Sequence, residues 1–143
     1  MVRFWDSSVL VSLVVEEPRS DACRRLLRDR GGVAVWVLAR TEVVSAVWQR
    51  SRMGKVAPNA VAKALAKIDG MSTAWTEISD VEAVRDRAER VLRRHELRAA
   101  DALQLGAALV LTNDRPKGRD FVTADGALAR AAMIEGFRVL IQQ

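Results

Sequence analysis

Short β-favouring apolar runs alternate along this chain with longer helix-like runs, and a carboxylate stands at four of the changeovers: Asp6, Glu42, Asp101 and Asp125. The strand candidates are Val2–Trp5, Val33–Val37, Ala74–Ile78, Asp120–Thr123 and Phe137–Ile141. Helical patterns fill the intervals. One opens after Asp6-Ser7-Ser8 and runs to Val15, and an amphipathic one spans Asp21 to Arg30. Others run from Ala39 to Arg52, after Pro58, from a Ser79 or Asp80 cap to near Arg94, from Ala99 to about Leu111, and from Gly126 to Glu135. Such alternation predicts an α/β fold in which a central, mostly parallel sheet is covered by helices on both faces.

At 143 residues the chain has the length of one domain, able to bury roughly two-thirds of its unfolded surface without disulfides. Neither a repeat nor a long linker suggests a second unit, so residues 1–143 are read as a single domain. The one cysteine, Cys23, has no partner for an internal disulfide and no zinc-type ligand spacing, so a small buried hydrophobe is expected there. The apolar run Val9–Val15 is too short to span a bilayer and lacks the flanks of a signal peptide. A reducing cytoplasm suits this composition. The net charge of +5 rests on 23 basic residues, mostly arginine, against 18 acidic ones. Arginine's planar fork suits phosphate, which leaves open a nucleic-acid substrate, an acidic protein partner or plain coding bias.

Each junction acid has a local explanation, because Asp caps helices and acids in a first turn interact well with the helix dipole. Their repetition says more. In an open α/β sheet, ligands bind outside the carboxyl ends of the strands, so acids that follow strands converge there although distant in sequence. Converged carboxylates repel one another, and a divalent cation is the usual compensation. A sparse, all-oxygen site favours Mg²⁺ or Mn²⁺ over zinc and suits phosphodiester hydrolysis by an activated water.

Four motifs carry a family resemblance over the whole chain: Asp6-Ser7-Ser8-Val9-Leu10, Thr41-Glu42-Val43-Val44-Ser45-Ala46, Arg98-Ala99-Ala100-Asp101-Ala102-Leu103-Gln104-Leu105, and Phe121-Val122-Thr123-Ala124-Asp125. In this order and spacing they resemble the PIN-domain ribonucleases, and most nearly the VapC toxins of type II toxin–antitoxin pairs. The resemblance implies a three-layer α/β/α sandwich, Mg²⁺- or Mn²⁺-dependent endoribonuclease activity that leaves a 5′-phosphate and a 3′-hydroxyl, a homodimer, and a cognate VapB-like antitoxin in the cytoplasm of a bacterium or archaeon. By the same resemblance Asp6 and Asp101 are the principal metal ligands. Glu42 is a ligand or a water-orienting base, Asp125 completes the pocket directly or through water, and Ser7 and Thr123 support them as hydrogen-bond donors. Gln104 departs from the histidine that many relatives carry, and its distance of one helical turn from Asp101 places it outside the metal site, where it bears on substrate contacts.

Arg115, Lys117 and Arg119 lie in the loop before the strand that delivers Asp125, and RNA-phosphate contact is expected there. Arg85, Arg87, Arg90, Arg93 and Arg94 read as a solvated helix face. His95, the only histidine, reads as exposed or packed in a loop rather than as an acid–base catalyst. Trp5, Trp36, Trp48 and Trp75 read as core or interface residues rather than base-stacking platforms. Two other functions fit parts of the pattern. A non-catalytic PIN-like module could hold RNA or protein, and a phospho-accepting receiver domain also gathers acids at strand ends. The second lacks support, because no acidic pair follows the first strand and no lysine sits near the last.

Overall fold

The computed structural model describes residues 1–29 and 31–141. Five parallel strands, β1 (Arg3–Trp5), β2 (Val33–Trp36), β3 (Thr76–Ile78), β4 (Asp120–Thr123) and β5 (Arg138–Ile141), form one sheet in the order β3-β2-β1-β4-β5. Seven helices connect them: α1 (Ser7–Val14), α2 (Ser20–Arg28), α3 (Ala39–Arg52), α4 (Pro58–Ser72), α5 (Val81–Leu92), α6 (Ala99–Leu111) and α7 (Gly126–Glu135). The chain proceeds from β1 outward to β3, then returns to lay β4 on the other side of β1. The switch point of the sheet therefore falls between β1 and β4, where such sheets place their ligands.

Strand side chains alternate between two cores, as the two-residue pleat requires. Trp5, Val35 and Val122 face a core built with α1 to α4, where Leu10, Val43, Val47 and Ile68 are buried. Phe4, Trp36 and Phe121 face the opposite core, against α5, α6 and α7. Phe4 and Phe121 stack across the β1–β4 pair with ring centroids 5.3 Å apart, and Phe121 meets Phe137 at 5.5 Å. The α/β/α sandwich expected from the sequence is thus the architecture, with helices on both faces of a wholly parallel sheet. Among the described residues no helix is long and apolar enough to cross a membrane.

At the amino ends of the strands Asp120 accepts from Arg3 at 2.9 Å and from Arg138 at 2.7 Å, which joins β1, β4 and β5 by charge. These guanidiniums hold the Asp120 carboxyl below its ordinary range. Helix α7 stops at Gly136, whose φ of 117° lies where a side chain would be strained, and Phe137 N donates back to Ala132 O at 3.0 Å.

Several expectations need correction. The amphipathic helix ends at Arg28, and its expected last residue, Arg30, lies outside the described residues. Trp48, expected in the core or at an interface, is 43% exposed and so lies outside the core. Helix α3 buries Ala39, Val43 and Val47, and one further residue turns the side chain about 100° away from that stripe. Trp75 precedes β3 instead of lying in it, and its indole N–H donates to Glu77. His95 takes the second of its two expected roles, packed in the loop after α5, where it shares a 2.7 Å hydrogen bond with Glu135, which Arg94 also meets at 3.1 Å. Of the α5 arginines, Arg87 and Arg90 are engaged: both reach Asp114, Arg87 through two bonds of 3.0 and 2.8 Å. Cys23 is buried as expected.

Helices α5 and α6 pack tightly at Gly106, where a Cβ would stand 2.7 Å from Val84 O and 3.1 Å from Ala88 N. Gly106→Ala should therefore destabilise the protein by about 1–3 kcal/mol through overpacking, although alanine is intrinsically the better helix former by about 1 kcal/mol. Urea titration reads the change, and a gain in stability would contradict this packing.

Candidate metal centre

All four junction acids reach one cleft at the carboxyl ends of the strands. The cleft has a volume of about 320 Å³, and Asp6, Ser7, Ser8, Glu42, Asp101 and Asp125 contribute to its wall. Asp6 leaves β1, Glu42 and Asp101 lie in the first turns of α3 and α6, and Asp125 precedes α7. These elements come from both helical layers, so the cleft straddles the edge of the sheet at its switch point.

Local capping explains only part of this placement. Asp125 does cap its helix, with Oδ1 accepting from Leu128 N at 2.9 Å. Asp6 occupies the N-cap position of α1 but makes no capping bond. Its Oδ2 accepts instead from Ser8 Oγ at 2.5 Å and from Thr123 Oγ1 at 2.9 Å. The same two hydroxyls accept from the backbone of the following turn, Ser8 from Ala124 N and Thr123 from Asp125 N, each at 3.1 Å. Asp6 Oδ1 has only a weak contact with Ser7 Oγ, at 3.5 Å. One oxygen is thus fixed by two hydroxyls, and the Asp6 side chain lines the cleft.

The electrostatics are those of a concave negative site. Burial pushes the Asp6 carboxyl above its usual range, opposed by the Ser8 and Thr123 hydroxyls and reinforced by the charges of Asp101 and Asp125. Glu42 is pushed up to about 7, first by burial and then by the charge of Asp6, against the hydrogen bond from Gln104. Asp101 is raised by burial and by Asp125, against Arg98. Cationic compensation is thin, because Arg98 is 82% exposed and Arg50 bonds to Glu17 at 2.7 Å. A larger neighbouring groove of about 550 Å³ shares Arg50 with the cleft, but its acids Glu16 and Glu17 are matched by Arg24 and Arg50.

The donor set fits a hard divalent cation: every candidate ligand is a carboxylate, and the field they make together favours positive charge. Among the described residues no three His, Cys, Asp or Glu side chains form a ready cage. Mg²⁺ typically takes one or two carboxylates and keeps several waters, so a full protein cage is not required of a site for it.

Sequence reasoning brought the acids together and located Thr123 beside Asp6. It missed Ser8, the closer donor, because two adjacent serines at a helix start look alike until the helix direction is known. It also set Gln104 apart from the acids, whereas the buried Gln104 Nε2 donates to Glu42 Oε1 at 2.6 Å. Arg115, Lys117 and Arg119 are not in the site. Their turn packs at the amino ends of the strands, where the Arg119 side chain donates to Val2 O and its carbonyl accepts from Arg138 N, at the edge opposite the acids.

The family model of the PIN domain matches residues 3–133. Ribonuclease VapC46 of Mycobacterium tuberculosis is 36% identical over 137 residues, which covers 96% of this chain and 95% of that protein. The fold is shared with VapBC2 of Rickettsia felis, solved bound to a DNA fragment from its promoter, at a TM-score of 0.66 and 12% identity over 97% of this chain and 98% of that one. A toxin-antitoxin complex from Klebsiella pneumoniae matches at a TM-score of 0.55 and 18% identity over 89% and 90% of the two chains.

The raised carboxyls impose a direction on stability. Folded Glu42 keeps its proton up to about pH 7 against an ordinary 4.5, so its favourable contribution is complete below about 4.5 and is lost as pH rises through 7. In the absence of divalent cations, Glu42→Gln should lose less stability than the parent chain between pH 4 and 8. Parallel stability profiles in urea across that range would contradict the assignment.

Proposed function

Because the chain belongs to the PIN-domain family and its four acids share one cleft, we propose that it is a divalent-metal-dependent endoribonuclease, the toxin of a toxin–antitoxin pair. Residues 1–143 form its single nuclease domain, acting in the cytoplasm of a bacterium or archaeon. The observation that carries the proposal is the Asp6 carboxylate, buried yet lining a cleft shared with Glu42, Asp101 and Asp125. Burying so much like charge in one place is unfavourable for folding, and a cation-dependent function accounts for it.

Asp6 and Asp101 would hold Mg²⁺ or Mn²⁺, with Glu42 and Asp125 contributing directly or through water. The bound cation supplies charge neutralisation, an activated water and stabilisation of the developing charge on the scissile phosphate. The chain's own residues do the rest. Ser8 and Thr123 fix the rotamer of Asp6 and stabilise its ionised form. Glu42 sits close to neutrality in its proton affinity and is suited to orient and deprotonate a water. Asp125 is held by the α7 terminus, and Ser7 lies between Asp6 and Gln104. Arg98 at the rim is placed to meet an RNA phosphate, a role better supported by position than that of Arg115, Lys117 and Arg119. The toxin–antitoxin complexes that share this fold support a VapB-like antitoxin as partner. A homodimer would cover exposed apolar surface such as Trp48.

Purified protein with Mg²⁺ or Mn²⁺ should cleave single-stranded RNA, and EDTA should abolish cleavage. Asp6→Asn and Asp101→Asn should each lower the rate about a hundredfold or more, the scale of losing a positioned catalytic group. Cleavage that survives EDTA and both substitutions would overturn the mechanism and leave a non-catalytic binding module as the better reading.

A further inference from the structure

Gln104 is the buried side chain whose chemistry the fold does not require. It lies on α6 one turn beyond Asp101, is 1% exposed, and its immediate helical companions Ala102, Leu105, Ala108 and Leu109 are apolar core. Its Nε2 donates to Glu42 Oε1 at 2.6 Å and stands 3.5 Å from Ser7 Oγ. Its Oε1 is buried without any hydrogen-bond partner. Methionine would fill nearly the same volume with no polar atom to desolvate, so the amide is a cost to folding that its apolar surroundings do not return. What the amide obtains is the bond to Glu42.

That bond has particular reach. Glu42 belongs to the helical layer of α1 to α4, and Gln104 to the layer on the other face of the sheet. Among the described residues Gln104 is the one side chain of α6 that hydrogen-bonds to α1 and α3, across 97 and 62 positions of sequence. It joins the two layers at the cleft. The donor is also neutral. A lysine or arginine there would orient Glu42 while neutralising it, and so compete with an incoming cation; an amide orients the carboxylate and leaves its charge available.

We propose that Gln104 is a positioning residue of the acid cleft, holding Glu42 in place so that the carboxylates are organised for a divalent cation before it arrives. The inference rests on the metal-dependent reading above and assigns to Gln104 a role outside direct ligation. Partners that orient metal ligands typically contribute 10–100-fold to affinity.

The test is a double-mutant cycle in the full chain, read by titration calorimetry with Mn²⁺ and by metal-free thermal unfolding. Gln104→Met should weaken Mn²⁺ binding by about tenfold while the metal-free protein melts no lower than the parent. In a Glu42→Ala background the same substitution should change affinity by less than about twofold, since its target is gone. Gln104→His, which keeps a nitrogen donor, should bind Mn²⁺ nearly as the parent does and provides a second folded variant. Unchanged affinity in Gln104→Met, or an equal loss with and without Glu42, would overturn the positioning role. If the parent chain itself fails to bind Mn²⁺, or binds it equally well as Asp6→Asn, the metal-dependent reading has failed, and this one with it.

Discussion

Asp6 is 3% exposed, and the fold places two hydroxyl donors against one of its carboxylate oxygens while the residue lines a cleft. This small network depends on register. β1 and β4 pair so that Trp5 lies beside Val122, and Asp6 N donates to Val122 O at 2.9 Å, which sets Thr123 level with Asp6. The same hydroxyls then receive the N–H groups of Ala124 and Asp125 and thereby fix the turn into α7. One buried acid thus couples the two central strands, the start of α1 and the delivery of Asp125. The geometry of the cleft therefore depends on strand pairing at the switch point.

The two ends of the sheet use the same residue type to opposite effect. At the amino ends, Asp120 lies between Arg3 and Arg138, and its carboxyl is held below the ordinary range. At the carboxyl ends, among the described residues, Asp6 and Glu42 have no cationic partner and Asp101 has only the exposed Arg98 at 3.3 Å, and all three are raised. A paired acid ties strands together and has little affinity left for a ligand. A thinly compensated cluster stores electrostatic cost that a bound cation would relieve, and the position of the acid cleft follows from that asymmetry.

Much of this was legible in the sequence, for a topological reason. Parallel strands put all their carboxyl ends on one side, so acids that follow strands share a rim whatever the order of the strands. The alternating runs located every strand and helix to within a few residues. What stayed hidden depended on partners far away in sequence. Gln104 is three positions from Asp101, which says nothing of its bond to Glu42, 62 residues distant. Arg87 and Arg90 looked like a solvated face because Asp114 lies beyond a helix and a turn. The basic loop misled by adjacency. Arg119 precedes β4 and Asp125 follows it, but a four-residue strand separates its two ends by roughly 10–13 Å.

The central claim is that the four acids form one binding place for a divalent cation. Anomalous diffraction from crystals soaked in Mn²⁺ tests it most directly. A manganese peak in the cleft, touching carboxylate oxygens of both Asp6 and Asp101, is the result the account predicts. Ordered manganese elsewhere on the protein, with the cleft empty and Asp6 still bound to Ser8 and Thr123, would contradict it.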